Sequence, residues 1–458
     1  MLNMIFYAQE DLNMKESIEF KNIDNYQSNF ESNDKNLVAQ NAVMNNGIVD
    51  SSKDIKAALQ NVHEFSISLD AGDITNQKKS GRCWMFAALN VMKLPIIKKL
   101  NLKTIELSQN YPLFWDKLEK TNHFLENMIE TSDEDTSSRV VSYLLSDPLG
   151  DGGQWDMFAS LVTKYGVVPK TAMPESYSSS NTRDMDKTLT TKLRGFACEL
   201  REAKVNGSSV EELRVMKEGM LDTVYRILSI SLGEPPKKFT FETRDKDDNF
   251  IRISDITPLE FFKEYVNMDM NDYVSLINAP TKDKPFGKTF TVQYLGNVRG
   301  GQPVKYLNLP IDDLKAAAIK QMESGEVVWF GSDVGQSSTR ETGLMALDAY
   351  NKETLFSTTF PMTKAQRLDY GESLMTHAMV LTGVNLEEDG KPNRWRVENS
   401  WGEKVGAKGF FVMSDDWFDE YTFQVVVNKK FLTAEQSKMF EAEPIVLKPW
   451  DPMGSLAL

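Results

Sequence analysis

A change of hydrophobic period along the chain limits most what it can fold into. Across residues 184–237, Leu, Met and charged residues recur at three- and four-residue spacings, the repeat of helices with one buried face. From residue 326 onward the apolar residues run together instead. EVVWFGSDV (326–334) and AMVLTGV after His377 read as buried strands, and 395–397 and 409–413 as two more. A helical middle and a strand-rich last third give an α+β chain. Two further helices are expected. One starts near Cys83, runs through Ala87, Ala88, Leu89 and Met92, and is interrupted at Pro95. The other spans 155–165 and is closed by Gly166. Residues 62–70 read as a strand, and 27–46 as a polar lead-in with short helical pieces. Residues 239–254 form a hairpin turning at 245–249. The acids of that turn do not make a calcium loop, because Phe250 and Ile256 stand where Gly and Glu are needed. The end, EPIVLKPWDPMGSLAL, carries Pro444, Pro449 and Pro452 and is expected to be extended.

Composition narrows the function. The 458 residues make about three domains' worth, and 41% hydrophobic residues suffice for a large core. A net charge of −14 disfavours general binding to phosphate backbones. Two cysteines, Cys83 and Cys198, make no disulfide framework and fit a reducing compartment. With no basic leader and no apolar run of about 18 residues, the expectation is a cytoplasmic protein without a membrane span. Three histidines, no H-E-x-x-H, no Cys-x-x-Cys and no phosphate-loop motif predict neither metal nor organic cofactor.

One constellation carries chemistry. In NQKKSGRCWMF, a Ser80-Gly81 turn leads into a helix starting at Cys83. There the helix's unpaired N–H groups and dipole are expected to lower the thiol pKa. His377, at the start of a strand, is the candidate base, and Asn399, in VENSWG, is its orienter through an amide oxygen. Trp401 is placed to shield that bond from water. Gln77, six residues before Cys83, is the candidate oxyanion donor together with the Cys83 N–H.

These fragments, in the order Cys, His, Asn, resemble the papain-like cysteine peptidases. The separation is longer than the family norm: 377 − 83 = 294 residues, against about 130–150 in ordinary members. The excess selects a subfamily. DGGQWDMF (151–158), YGVVPK (165–170) and the tail PWDPMGSLAL are similar to bleomycin hydrolase and bacterial aminopeptidase C. The resemblance implies a two-lobed papain-like fold with a large helical insertion and a C-terminal arm. Its segments are a lead-in with oligomer contacts (1–62), a helical half with Cys83 (63–184), an inserted helical and hairpin region (185–325), a β-rich half with His377 and Asn399 (326–440) and the arm (441–458). It implies a cytosolic thiol aminopeptidase, a homohexamer, that acts on peptides with a free N-terminus. Gly152 and Gly153 match glycines that hold substrate backbone, and the Leu458 carboxylate is expected to face the substrate's ammonium.

Other residues receive blander readings. Cys198 is taken as a structural, buried thiol. His63 and His123 are placed in ordinary helical contexts, Trp155 and Phe158 in the core, and Asp151 at a helix cap. The competing functional class is a nucleic-acid-binding oligomer with a vestigial site, for which Lys78, Lys79 and Arg82 form a small basic group. A redox enzyme is disfavoured because no second cysteine lies near Cys83.

Overall fold

The computed structural model describes residues 16–456. They fall into two compact units. The smaller joins the chain up to Leu59 with Asp348–Pro361. Its helices, Phe20–Glu31 and Asp34–Ser52, fill the segment read as a lead-in. Asn33 caps the second by accepting the Lys35 N–H.

The larger unit holds the chemistry-bearing residues. Among the described residues its sheet has twelve strands. Its centre is the His377–Leu386 strand, flanked antiparallel by Val328–Ser332 on one side and Pro392–Glu398 on the other. Phe410–Ser414 continues the sheet beyond Pro392–Glu398, and Thr422–Asn428 continues it beyond Val328–Ser332. The unbroken apolar runs are explained by burial on both faces: every residue of Val328–Ser332 and Tyr273–Ile277 is buried.

The Cys83–Lys99 helix packs against the central strand. It does not stop at Pro95 but continues to Lys99. It is buried on every side, and Ile96 and Ile97 beyond the proline are buried with it. That packing holds the last turn despite the missing N–H. Trp155–Tyr165 ends at Gly166 as expected, at φ +75°, where a Cβ would strike Pro258 O at 2.2 Å.

Arg183–Val205 and Val210–Leu232 are the two long helices of the middle, and Phe239–Arg244 with Phe250–Ile256 is the hairpin. The same stretch also holds what its helical reading missed. Tyr273–Ile277, Lys288–Val292 and Tyr306–Asn308 join the large sheet beside Thr422–Asn428. Of 62–70 only Ile67–Ser68 is strand, paired to the central strand at Val384 and Gly383. No helix of the described residues is long and apolar enough to cross a membrane.

Candidate active site

Cys83 opens its helix from the turn that Ser80 and Gly81 provide. Its side chain is fully buried, and its Sγ accepts the backbone N–H of Ala378 at 3.4 Å. A thiol at the first helical position is thus placed against the residue following His377. Burial pushes it up to about 12; the N–H groups of Ala378, Trp84 and Cys83 itself pull it down without overcoming desolvation. The helix-end N–H groups lower the thiol as expected, but burial outweighs them, so the net direction is upward.

His377 is the first residue of the central strand, opposite Ser332. Asn399 directly follows the neighbouring Pro392–Glu398 strand, so antiparallel pairing brings the two together. His377 Nε2 lies 3.0 Å from Asn399 Oδ1. That oxygen also accepts the Ser400 N–H at 2.8 Å, which fixes the amide with its oxygen toward the ring. An amide oxygen can only accept, so Nε2 is the donor and Nδ1 is the ring nitrogen left to take a proton. Trp401 packs on the imidazole, ring centroids 4.9 Å apart. The turn that swings Trp401 there requires Gly402: its φ is +79°, and a Cβ would meet Asn76 Nδ2 at 2.4 Å.

Gln77 links the two sides. Its Nε2 donates to Ser80 O at 2.7 Å, and its Oε1 accepts from Ser400 Oγ at 2.6 Å. One carboxamide thus ties the turn before Cys83 to the residue after Asn399 and keeps a second N–H on Nε2 for another acceptor.

A sequence profile of the Peptidase C1-like family matches residues 17–454. This chain belongs to that family. It is 52% identical to Aminopeptidase C of Listeria monocytogenes over 97% of this chain and 100% of the relative. It is 45% identical to human Bleomycin hydrolase over 87% and 89% of the two chains. The crystal structure of PepW from Lactobacillus rhamnosis HN001 superposes with a TM-score of 0.95 at 51% identity, covering 97% of this chain and 100% of that one.

In this member of the Peptidase C1-like family, the Gly152–Gly153 segment lies beside the helix that Cys83 opens. The Gly152 carbonyl accepts from Lys120 Nζ at 2.7 Å, and a Cβ on Gly153 would overlap the Trp84 ring at 2.5 Å. The arm reaches the same region. Ser455 O accepts from Gln154 Nε2 at 2.7 Å, and Ser455 Oγ donates to Met375 O at 2.8 Å, two residues before His377. Leu458 lies outside the described residues.

Asp151 is not a helix cap. Its carboxylate accepts the Gly81 N–H at 2.8 Å and the Thr182 hydroxyl, and pairs with Lys117 at 2.7 Å. Lys117, fully buried, also pairs with Asp186 at 2.7 Å. The Asp151 carboxyl is held well below the usual carboxylate range: burial opposes this, but Lys117 and the hydrogen bonds outweigh it. Burial and the neighbouring Asp151 push Asp186 up to about 7. This network was invisible in the sequence, since Gly81, Lys117 and Asp186 are scattered. The sole signal was the acid directly before two glycines.

Arg82 is fully buried and makes two hydrogen bonds to Glu175, at 3.1 and 2.7 Å. It is withdrawn from any basic surface, and nothing supports the nucleic-acid reading. Trp155 and Phe158 are core, as expected. Cys198 is exposed rather than buried, because it falls on the outer face of Arg183–Val205. His63 lies outside any helix; His123 sits in Asn110–Glu130 with Nε2 3.0 Å from Tyr294 O.

Proposed function

We infer that this chain is a cysteine aminopeptidase working through a thioester on Cys83. The observation that carries the reading is the pair of contacts at its centre: Ala378 N to Cys83 Sγ at 3.4 Å and His377 Nε2 to Asn399 Oδ1 at 3.0 Å. His377 Nδ1 takes the thiol proton as Sγ attacks the first peptide carbonyl. Because burial raises the thiol, this transfer to His377 supplies the thiolate, and the helix end only assists. The Cys83 N–H and the free N–H of Gln77 Nε2 hold the oxyanion. His377 returns the proton to the departing amine as the C–N bond breaks. Water, activated by the same imidazole, then splits the thioester and releases the N-terminal residue. No step calls for a metal.

The exopeptidase character rests on the arm. Ser455 is fixed between Gln154, next to the glycine pair, and Met375, two residues before His377, and this is the side assigned to the substrate's N-terminal part. Gly152 and Gly153 offer backbone to the substrate there, and a charge pair is proposed between the substrate's ammonium and the carboxylate of Leu458, a residue outside those described. Free-amine aminoacyl fluorogenic substrates should turn over at least about tenfold faster than their N-acetyl counterparts, with alkylation abolishing both. Equal rates would remove the exopeptidase assignment. Deleting residues 454–458 should lower aminopeptidase turnover and admit blocked peptides. A truncated enzyme that still demands a free N-terminus would show that the arm is not the cause.

Peptides with a free N-terminus are the proposed partners, and the cytoplasm the proposed compartment, in keeping with two unbridged thiols. A homohexamer is proposed on the likeness to the aminopeptidase C group. The exposed Phe20, Val38 and Met44 of the first two helices are in keeping with N-terminal oligomer contacts.

A further inference from the structure

The arm and the glycine pair mark the side of the catalytic pair where the N-terminal part of a substrate lies. The leaving fragment is assigned to the other side, with Trp401, packed on the imidazole, as its first contact. A second side chain reaches that indole: Arg340, whose guanidinium carbon lies 4.6 Å from the ring centroid. Imidazole, indole and guanidinium thus form a continuous chain of contacts.

Arg340 is held in place by its backbone. It sits at the tip of a tight hairpin, in which Ser338 and Thr339 pair with Met345 and Leu344 and the Gly343 N–H returns to Thr339 O at 2.8 Å. Leu344–Met345 pairs in turn with Phe410–Ser414 at the sheet edge. The Arg340 side chain is exposed, and among the described residues no carboxylate pairs with it. The other arginines beside the catalytic halves are engaged: Arg82 by Glu175, Arg367 by Glu420, Arg396 by Leu69 O.

We propose that Arg340 is a specificity-determining residue that binds a carboxylate in the first one or two residues of the leaving fragment. This deepens the aminopeptidase reading and rests on it. One residue spans about 3.3–3.6 Å, so a carboxylate one or two residues past the scissile nitrogen falls within the guanidinium's reach beyond Trp401. The fork of donors suits a carboxylate, and the indole fixes its plane. The favoured substrates are short peptides whose own C-terminus supplies that charge; an Asp or Glu side chain there would offer the same chemistry.

The test compares kcat/KM for Ala-Gly and Ala-Gly-Gly as free acids and as C-terminal amides, with Ala-Asp amide distinguishing a side-chain carboxylate. The wild-type acid-to-amide ratio should be about three to five at low salt, the size of an exposed charge pair, and should fall toward one in high salt. In Arg340→Gln the ratio should be one, in Arg340→Lys intermediate, and in Arg340→Glu below one. An equal ratio in wild type and Arg340→Gln overturns the proposal alone. A uniform fall for acid and amide also overturns it, since Arg340 would then act only by supporting Trp401. Failure of the wild-type enzyme to cleave any of these peptides overturns the aminopeptidase reading together with it.

Discussion

Replacing Cys83 with serine should leave a folded protein whose peptide turnover is lower by about 10⁴-fold or more, the scale on which removal of a nucleophile acts. The fold should survive because the change is nearly isosteric. A hydroxyl can accept the same Ala378 N–H that now reaches Sγ at 3.4 Å. Trp84, whose ring packs edge-on to Phe158, keeps its indole bond to Asp151 O at 2.8 Å. Activity should collapse because His377 must then deprotonate an alcohol, a far weaker acid than a thiol, in the same dry setting. Matching thermal unfolding of the two proteins, measured beside turnover of a free-amine substrate, checks both halves. Serine retaining a tenth of the activity would remove Cys83 from the chemistry.

The second large effect concerns stability. Asp151→Ala should destabilise the protein by about 3–5 kcal/mol, the cost of breaking a buried ion pair from one side. The loss has three parts: the Lys117 partner, the Gly81 N–H acceptor and the Thr182 hydroxyl acceptor. Asp186 still faces Lys117, which keeps the figure from rising further. The carboxylate of Asp151 is held below its ordinary range, so its contribution is present above the unfolded value near 3.8 and disappears as pH falls through the acid range. The gap between wild type and variant should therefore be widest near neutral pH and shrink below about pH 4. Urea unfolding at pH 7 and at about pH 3 measures this. A gap under 1 kcal/mol at pH 7 would mean that the turn before Cys83 holds itself.

The three central residues were legible because each is announced by its neighbours. Ser80-Gly81 and Trp84 flank Cys83, a continuous apolar run follows His377, and Trp401-Gly402 follows Asn399. What surrounds them was not. Gln77 was read as a donor toward substrate, yet half of its hydrogen bonding clamps Ser80 and Ser400, a pairing set by folding across 323 positions. Asp151 looked like a cap because its partners lie on other elements. The strands of 273–308 escaped because YVSLI is short and is followed by NAPTKDKPFG, whose prolines and glycine read as loop. Pro95 misled in the opposite way: a local rule says stop, and burial of Ile96 and Ile97 overrides it. Cys198 shows the limit of composition, since a cysteine's usual burial says nothing of the face on which it falls.

The most direct trial of the Cys83–His377 pairing is stoichiometric labelling with an aminoacyl chloromethyl ketone bearing a free amine, followed by peptide mass mapping. One equivalent should attach to Cys83, leave the exposed Cys198 unmodified, and remove activity in proportion to the label. Full labelling of Cys83 with turnover intact, or inactivation with the label elsewhere, would contradict it.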